Sequence, residues 1–538
     1  MSGTVTFIDA PTLKAAIAGH DEIALIDPRE EGLFGEAHLL LAINIPFSRL
    51  ELRIGLLVPR KGTRIVLVDD GGGLSERAAR KLVDLGYSSV EILAEGNKAW
   101  QVSGFELFSG MSVPTKAFGE WIAVTCRTPL ISAEELHKKL SGREDVIVLD
   151  SRPANEYVNM TIPGSINVPV SELVYRFGEL SVSPDTLVVV NCAGRTRSLI
   201  GAQTLIDAGI PNRVVALKGG TMAWQMAGFK LEHDATRHAP EPWGKNLHEA
   251  LSRARVVAER NRVQIIDQVQ LAAFKAEQEQ RTLYIIDIRT PDEFLAGHRR
   301  DSFHAWGVQL VQSTDRFVAT RNARLVLIDN YQVRALLTAS WLVQIGWVDT
   351  FVLSDPFRGV ELESGSSSDP VPESAENRLP RISPLELHSL LAHNRATVID
   401  FSDSLSFKRG HIPGAWFAIR SRLAENIDRI TADEQFVATG NDHALTLLAA
   451  TDLRRLSGRP VAILEGGNHA WIEAGYELAT GLENLATEVN DIFRMPFLWG
   501  HFKDKTEFEK AANDYFEWEL QLPEQLRRAG EIEFARRA

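Results

Sequence analysis

The sequence of 538 residues has little cysteine, no long apolar run and no excess of positive charge. Its two cysteines are Cys126 and Cys192, so neither a disulfide framework nor a zinc site built on cysteines is expected. The formal net charge of -13 disfavours surfaces for nucleic acid or anionic membranes, because like charges repel phosphate. No apolar run has the length needed to cross a bilayer, and the N-terminus lacks the features of a signal peptide. We therefore expect a cytoplasmic protein that binds neither nucleic acid nor membrane.

The composition is otherwise that of a globular protein. Hydrophobic residues make up 44% of the chain and charged residues 24%, which is ordinary for folded domains. The chain is too long for a single core, and its length predicts roughly three or four domains. We expect neither a metal ion nor a cofactor at the functional site.

Four segments of the chain repeat one pattern. Each begins with an apolar strand that ends in an aspartate, continues through a turn to a second apolar strand, and then enters a loop and a helix. The four aspartates are Asp27, Asp150, Asp287 and Asp400. In the first three copies an arginine follows two residues later, at Arg29, Arg152 and Arg289. Short Val/Ile/Leu-rich runs that alternate with helical periods predict an α/β fold, with helices on both faces of a parallel sheet.

The repeat predicts four tandem domains and a tail. The four copies occupy residues 1–110, 130–232, 260–357 and 381–481. The predicted linkers between them occupy residues 111–129, 233–259 and 364–380. The third copy is degenerate, because it lacks the Gly-rich turn and the tryptophan that close the other three. Residues 482–538 are predicted to form a helical tail whose aromatic residues, Trp499 and Tyr515 among them, pack back onto the domains.

Cys192 lies in the second copy, between an apolar strand and a helix. The loop residues that follow it are Ala193, Gly194, Arg195, Thr196, Arg197 and Ser198. Successive backbone NH groups at the start of a helix, together with two arginines, favour an anionic sulfur. The thiolate is the nucleophilic form of cysteine. Cys192 is therefore the candidate nucleophile, whereas Cys126 lies in a predicted linker and is expected to be incidental.

These features resemble a known family, the rhodanese-like sulfurtransferases. The resemblance rests on the Asp-x-Arg after the first strand, the turn at Ile162-Pro163-Gly164, the Cys-x4-Arg loop, and the Gly-Gly-x-x-Ala-Trp ending. It covers most of the chain, as in the multi-domain thiosulfate sulfurtransferases of bacteria. The family implies a loop that cradles a persulfide. A small-molecule donor such as thiosulfate would give its outer sulfur to the cysteine and release sulfite, and a thiol or cyanide would then accept the sulfur.

The resemblance also implies roles for the residues around Cys192. Residues 193–198 are expected to surround the sulfur, and Arg195 or Arg197 to hold the anionic donor, with bracing of the loop an equally open role for Arg197. Asp150 and Arg152 are expected to support the loop, and Arg152 is a further candidate contact for the donor.

The other three copies are predicted to be inactive in sulfur transfer. When the copies are aligned on the glycine that follows each loop helix, the residues at the position of Cys192 are Asp69, Asp329 and Asn441. Neither aspartate nor asparagine can carry a sulfane sulfur.

Two alternative functions are weighed against sulfur transfer. Phosphatases and arsenate reductases of this fold resemble Cys-x5-Arg, one residue longer than the loop of six residues here, so the shorter loop favours sulfur over phosphate. A scaffold, persulfide relay or redox sensor that recruits a protein partner through the cysteine-less copies remains the second hypothesis. The sequence leaves open the donor (thiosulfate, a glutathione persulfide or 3-mercaptopyruvate), the acceptor, and whether the chain forms a homodimer.

Overall fold

The computed structural model describes residues 5–365, 379–431, 434–493, 502 and 504–535. Trp499 and most of the predicted linker 364–380 lie outside these residues. In the described part of the chain, four parallel sheets are flanked by helices, which confirms the predicted fold class and the four copies. Each copy contributes five strands, which lie side by side in the order first, fifth, fourth, second, third.

The bounds of the elements show the repetition. The first copy has strands Thr6–Ile8, Ile23–Asp27, Ile43–Asn44, Arg64–Leu67 and Val90–Leu93, and helices Ala10–Ile17, Glu31–Glu36, Leu50–Leu57, Leu74–Asp84 and Gly96–Val102. The second has strands Leu130–Ile131, Val146–Asp150, Ile166–Asn167, Leu187–Asn191 and Val214–Leu217, and helices Ala133–Ser141, Ala154–Asn159, Leu173–Arg176, Thr196–Asp207 and Gly220–Met226.

The third and fourth copies follow the same plan. The third has sheet strands Gln264–Ile266, Leu283–Asp287, Phe303–His304, Arg324–Ile328 and Thr350–Leu353, and helices Gln268–Ala276, Pro291–Ala296, Gly307–Gln312 and Val333–Ile345. The fourth has strands Arg381–Ile382, Ala396–Asp400, Trp416–Phe417, Gln435–Thr439 and Val461–Leu464, and helices Pro384–Ala392, Ser404–Arg409, Leu423–Asn426, His443–Ser457 and Gly467–Glu473. The short strand His298–Arg299 of the third copy and the strand Leu362–Glu363, which follows that copy, form a separate antiparallel pair.

The fourth strand of each sheet sets the position of the following loop. In the second copy this strand contains Val188, Val189 and Val190, which are fully buried. It lies beside the second strand, so that Asp150 and Asn191 are partners at the carboxyl end of the sheet. Cys192 is the next residue, at the edge where ligands bind in open parallel sheets.

The copies pack closely against one another. The second and third share one hydrophobic core, across which Trp341 Nε1 donates to Thr204 Oγ1 at 2.9 Å. The first and fourth meet at a buried ion pair, in which Arg420 donates to both carboxylate oxygens of Glu51 at 2.8 and 2.9 Å. The strand Thr320–Arg321 of the third copy extends the sheet of the first by antiparallel pairing.

The segment 111–129, predicted as a linker, contains a buried helix, Val113–Thr125, which we call the bridging helix. It packs against the helix Thr196–Asp207 that follows the cysteine. Gly119 permits this approach, because a Cβ atom there would lie 3.0 Å from Thr196 Cγ2. The bridging helix is therefore part of the surroundings of the cysteine. Of the other predicted linkers, 233–259 contains most of the helix Gly244–Arg260.

The tail contains a long helix, Lys505–Ala529, which we call the tail helix. Leu522 and Leu526 belong to a hydrophobic cluster with the first copy, while Phe508 and Tyr515 pack with Met222 of the second. The tail helix thus spans two copies. Within the described ranges, no helix combines the length and apolarity needed to cross a membrane.

Removing the tail helix anchor should destabilise the protein. For Leu522→Ala we expect a loss of about 2–5 kcal/mol, because buried methyl groups are removed and a cavity remains. The midpoint of urea unfolding, followed by circular dichroism, measures the change. Leu520→Ala is the matched control, since Leu520 is 55% exposed on the same helix, and it should change stability by no more than about 0.5 kcal/mol. Equal shifts in the two variants would contradict the docking of the helix.

Candidate active site

The cysteine loop, residues 192–198, starts directly after the fourth strand of the second copy. Cys192 is only 2% exposed. Its Sγ atom lies 3.5 Å from Ser198 Oγ, which in turn donates to the carbonyl oxygen of Arg195 at 2.8 Å. Ser198 is the hydrogen-bond partner of the sulfur among the residues that the structure describes. The loop therefore encloses the thiol by turning back on itself, as a short connection into a helix requires.

The Gly-Gly turn of the second copy lies against the cysteine loop. Gly220 has a left-handed φ of +56°, and a Cβ atom there would lie 2.2 Å from the carbonyl oxygen of Cys192. The NH of Thr221 donates to that oxygen at 2.9 Å, and the NH of Met222 donates to the carbonyl of Ala193 at 3.1 Å. Glycine is required here because any side chain would push the loop away.

Asp150 and Arg152 form a buried pair beside the loop. Arg152 donates to the two carboxylate oxygens at 2.9 and 2.7 Å, and Asn191 Nδ2 donates to one of them at 3.1 Å. Burial acts to raise the pKa of Asp150, but Arg152 and the hydrogen bonds outweigh it, so that the pKa lies below its usual value. Among the described residues, neither partner lines the cavity that Cys192 faces. The geometry is that of a brace rather than of a donor contact.

Both arginines of the cysteine loop are paired with carboxylates. Arg197 donates to the two oxygens of Glu156 at 2.7 and 2.9 Å. Arg195 donates to the two oxygens of Glu120, on the bridging helix, at 2.6 and 2.7 Å. Burial acts to raise the pKa of Glu156, but the attraction and hydrogen bonds of Arg197 outweigh it and lower the pKa. The positive charge of each guanidinium is thus balanced before any substrate arrives.

Three residues from outside the second copy's domain cover the cysteine. Lys116 comes from the bridging helix, Gln312 from the third copy and Tyr515 from the tail helix. Together with the cysteine loop they line a cavity of about 20 Å³, which holds about one water molecule. We call these three residues the roof.

A buried polar network runs through the roof. Lys116 Nζ donates to the Tyr515 hydroxyl at 2.8 Å, and that hydroxyl donates to Glu519 Oε1 at 3.1 Å. Thr196 Oγ1 donates to the same carboxylate oxygen at 2.7 Å. Sequence reasoning missed Lys116, Gln312, Tyr515 and Glu519 as site residues. The one local signal was Lys116 with Glu120, a charged pair four residues apart, which places both side chains on one face of a helix.

In the first and third copies an aspartate carboxylate takes up the loop's hydrogen bonds. Asp69 accepts from the NH groups of Gly71 and Ser75, both at 2.9 Å. Asp329 accepts from the NH of Arg334 at 2.9 Å and from its guanidinium at 2.7 Å. Arg334 also pairs with Glu293, in the same way that Arg197 pairs with Glu156. The loops of these copies are therefore built around an anion.

The prediction that Asn441 occupies the position of Cys192 in the fourth copy is wrong. Strand pairing sets Asp400 opposite Thr439, so Gly440 is the equivalent residue. A Cβ atom on Gly467 would lie 2.2 Å from the carbonyl of Gly440, which repeats the contact between Gly220 and Cys192. The alignment failed because the fourth copy has one extra residue before the glycine that ends its loop helix. Glycine cannot carry sulfur either, so the predicted inactivity does not change.

The chain matches a family profile and is similar to known proteins. The profile is described as rhodanese-like domain, and it matches residues 9–103, 132–227, 270–362 and 383–474. A crystal structure of a thiosulfate sulfurtransferase from Pseudomonas aeruginosa is 42% identical, covers 99% of this chain and 100% of its own, and superposes with a TM-score of 0.93. A sulfurtransferase from Allochromatium vinosum is 31% identical over 101 residues, which are 19% of this chain and 92% of that protein.

Another relative shares only one segment with this chain. An HTH-type transcriptional regulator from Mycobacterium tuberculosis is 32% identical over 103 residues, which are 19% of this chain and 44% of the regulator. The chain thus spans less than half the length of that relative. The match is confined to a segment of about one repeat's length.

The contact of Gly220 with the cysteine loop can be tested by adding one methyl group. Gly220→Ala should destabilise the protein by more than the roughly 1–2 kcal/mol that a left-handed alanine costs, because the methyl group also meets a carbonyl. Urea unfolding measures the loss. Gly228→Ala is the control, since Gly228 has a φ of +82° but open space around its Cβ position. If both variants lose the same stability, the turn does not press against the loop.

Proposed function

The chain belongs to the rhodanese-like sulfurtransferase family, and we propose that it moves the outer sulfur of thiosulfate to a thiophilic acceptor through a persulfide on Cys192. The similarity to a thiosulfate sulfurtransferase along almost the whole of both chains supports this donor. Cys192 supports the site, because it lies at the carboxyl end of the sheet in the one copy that has a cysteine there. Cys126 lies at the end of the bridging helix.

The aspartates of the first and third copies support the proposal that Cys192 forms a persulfide. An aspartate oxygen lies two bonds from Cβ, which is also the position of the outer sulfur in a cysteine persulfide. In those copies the loop NH groups at Gly71, Ser75 and Arg334 donate to this position. The equivalent residues of the second copy are Gly194, Ser198 and Arg197. The loop of the second copy thus offers hydrogen bonds at a position that the Sγ atom of cysteine does not reach. The outer sulfur of a cysteine persulfide does reach it.

The proposed cycle has two half-reactions. The Cys192 thiolate attacks the outer sulfur of thiosulfate, a new S–S bond forms, and the S–S bond of thiosulfate breaks as sulfite leaves with the electron pair. A thiol or cyanide then attacks the outer sulfur of the persulfide, and the Cys192 thiolate leaves. Atoms and electrons balance in both steps, and ping-pong kinetics follow. The loop NH groups stabilise the negative charge of the persulfide between the steps.

The three cysteine-less copies are proposed to support this one site. The third copy contributes Gln312 to the roof, and the tail helix that contributes Tyr515 is anchored in the core of the first copy. These contacts favour a supported single-site enzyme over a scaffold that holds unrelated partners. The acceptor in this proposal is a small thiol or cyanide, since the enclosed cysteine leaves little room for a folded partner.

The proposal predicts that one cysteine carries all of the activity. In a thiosulfate:cyanide assay Cys192→Ser should fall to the background rate, because a hydroxyl cannot form the persulfide. Cys126→Ser should retain the wild-type rate. Intact mass after thiosulfate should show one added sulfur in the wild type and in Cys126→Ser, and none in Cys192→Ser. Sulfur added to Cys192→Ser would contradict the assignment.

A further inference from the structure

We propose that Lys116, on the bridging helix, binds the sulfonate end of thiosulfate and so completes the donor site from outside the catalytic domain. The inference rests on the proposed function. It gives the donor a cationic partner that, unlike either loop arginine, is not already hydrogen-bonded to a carboxylate among the described residues.

The charges around Cys192 single out Lys116. Each loop arginine has two of its nitrogens engaged by a carboxylate, at 2.6 to 2.9 Å. Lys116 Nζ instead donates to a neutral group, the Tyr515 hydroxyl, and the carboxylate of Glu519 is 4.0 Å away. Lys116 is thus a cavity-lining cation without a carboxylate at hydrogen-bonding distance in the described part of the chain.

The neighbouring carboxylate does not offset this charge well. Glu519 is fully buried, and burial raises its pKa, which favours the neutral acid. Burial lowers the pKa of Lys116; the attraction of Glu519 opposes this effect without outweighing it, and the nearby Arg197 adds to it. A bound dianion would reverse the unfavourable environment of the ammonium group. The surroundings of Lys116 are therefore those of a site for an anion rather than of a completed ion pair.

Lys116 lies beside the space that a donor must occupy. Lys116 and the cysteine loop line the same cavity. The volume of about 20 Å³ fits about one atom of water size, enough for the outer sulfur of a persulfide but not for a whole thiosulfate. The donor can therefore enter only when the roof shifts. In this shift Tyr515 must release its hydrogen bond with Lys116.

The chemistry of the donor step explains what Lys116 contributes. When the Cys192 thiolate takes the outer sulfur, the S–S bond of thiosulfate breaks and its electron pair leaves with sulfite. The ammonium group donates hydrogen bonds to the sulfonate oxygens while this charge moves onto the leaving group. Lys116 therefore acts in the first half-reaction and has no partner in the second.

The test compares Lys116→Met and Lys116→Arg with two donors. The leaving group of thiosulfate is sulfite, a dianion with three oxygens. The leaving group of methanethiosulfonate is methanesulfinate, which carries one negative charge and two oxygens. Loss of a charge-assisted hydrogen bond should lower kcat/KM for thiosulfate in Lys116→Met by roughly 10–100-fold. The loss with methanethiosulfonate should be under about tenfold, because the Lys116 ammonium group then contacts a donor with one negative charge instead of two.

Two controls separate the role of charge from that of packing. Lys218→Gln removes a lysine that is exposed in the second copy, and it should behave as wild type with both donors. Lys116→Arg keeps the charge, and it should recover most of the thiosulfate activity that Lys116→Met loses. Cyanide should remove sulfur from persulfidated Lys116→Met at the wild-type rate, and circular dichroism checks the fold of each variant.

Different failures lead to different conclusions. If wild type takes no sulfur from thiosulfate at Cys192, the proposed function fails. If wild type is active and Lys116→Met matches it with both donors, the function stands and the role of Lys116 is overturned. If Lys116→Met does not fold, Lys116→Arg decides: it must keep the wild-type ratio of kcat/KM between the two donors, and a change in that ratio overturns the proposal. Equal losses with both donors in Lys116→Met also overturn it.

Discussion

The site depends on one acceptor position, two bonds beyond Cβ of the first loop residue after the fourth strand in the first three copies. Backbone NH groups at the start of the following helix point to this position, as they do in other anion sites at helix N-termini. In the first and third copies the carboxylates of Asp69 and Asp329 fill it permanently. In the second copy the Cys192 side chain ends one bond short of it. The acceptor position is thus filled by a carboxylate oxygen in the first and third copies. In the second copy one more atom on the cysteine side chain would fill it.

The surroundings of Cys192 are held by buried and partly buried charge pairs rather than by apolar packing alone. Arg195 and Arg197 are each clamped by a carboxylate, and Asp150 with Arg152 braces the neighbouring strand. Removing one partner of a fully buried pair, such as Arg195 with Glu120 or Arg152 with Asp150, typically costs about 3–5 kcal/mol. The pairs fix the shape of the loop, and in our proposal Lys116 is the cation that engages the substrate anion. The tail helix and the third copy then close the site above it.

The sequence predicted the features that are local or repeated. The aspartate at the end of each second strand, the Gly-Gly turn and the Cys-x4-Arg loop can be read from short patterns, because each repeats a fixed spacing within one copy. The register error at Asn441 shows the limit of this method. An extra residue in a loop helix shifts an alignment made on glycines, whereas the strand pairing of Asp400 with Thr439 does not shift. The roof was not predictable, because Lys116, Gln312 and Tyr515 meet only when the copies pack.

The account is tested most directly by a crystal structure of the protein after treatment with thiosulfate. It predicts a second sulfur on Cys192 at the acceptor position, within hydrogen-bonding distance of the backbone nitrogens of Gly194, Arg197 and Ser198, where the aspartate oxygens lie in the first and third copies. An outer sulfur that points away from these nitrogens, or one bound to Cys126 instead, would contradict it.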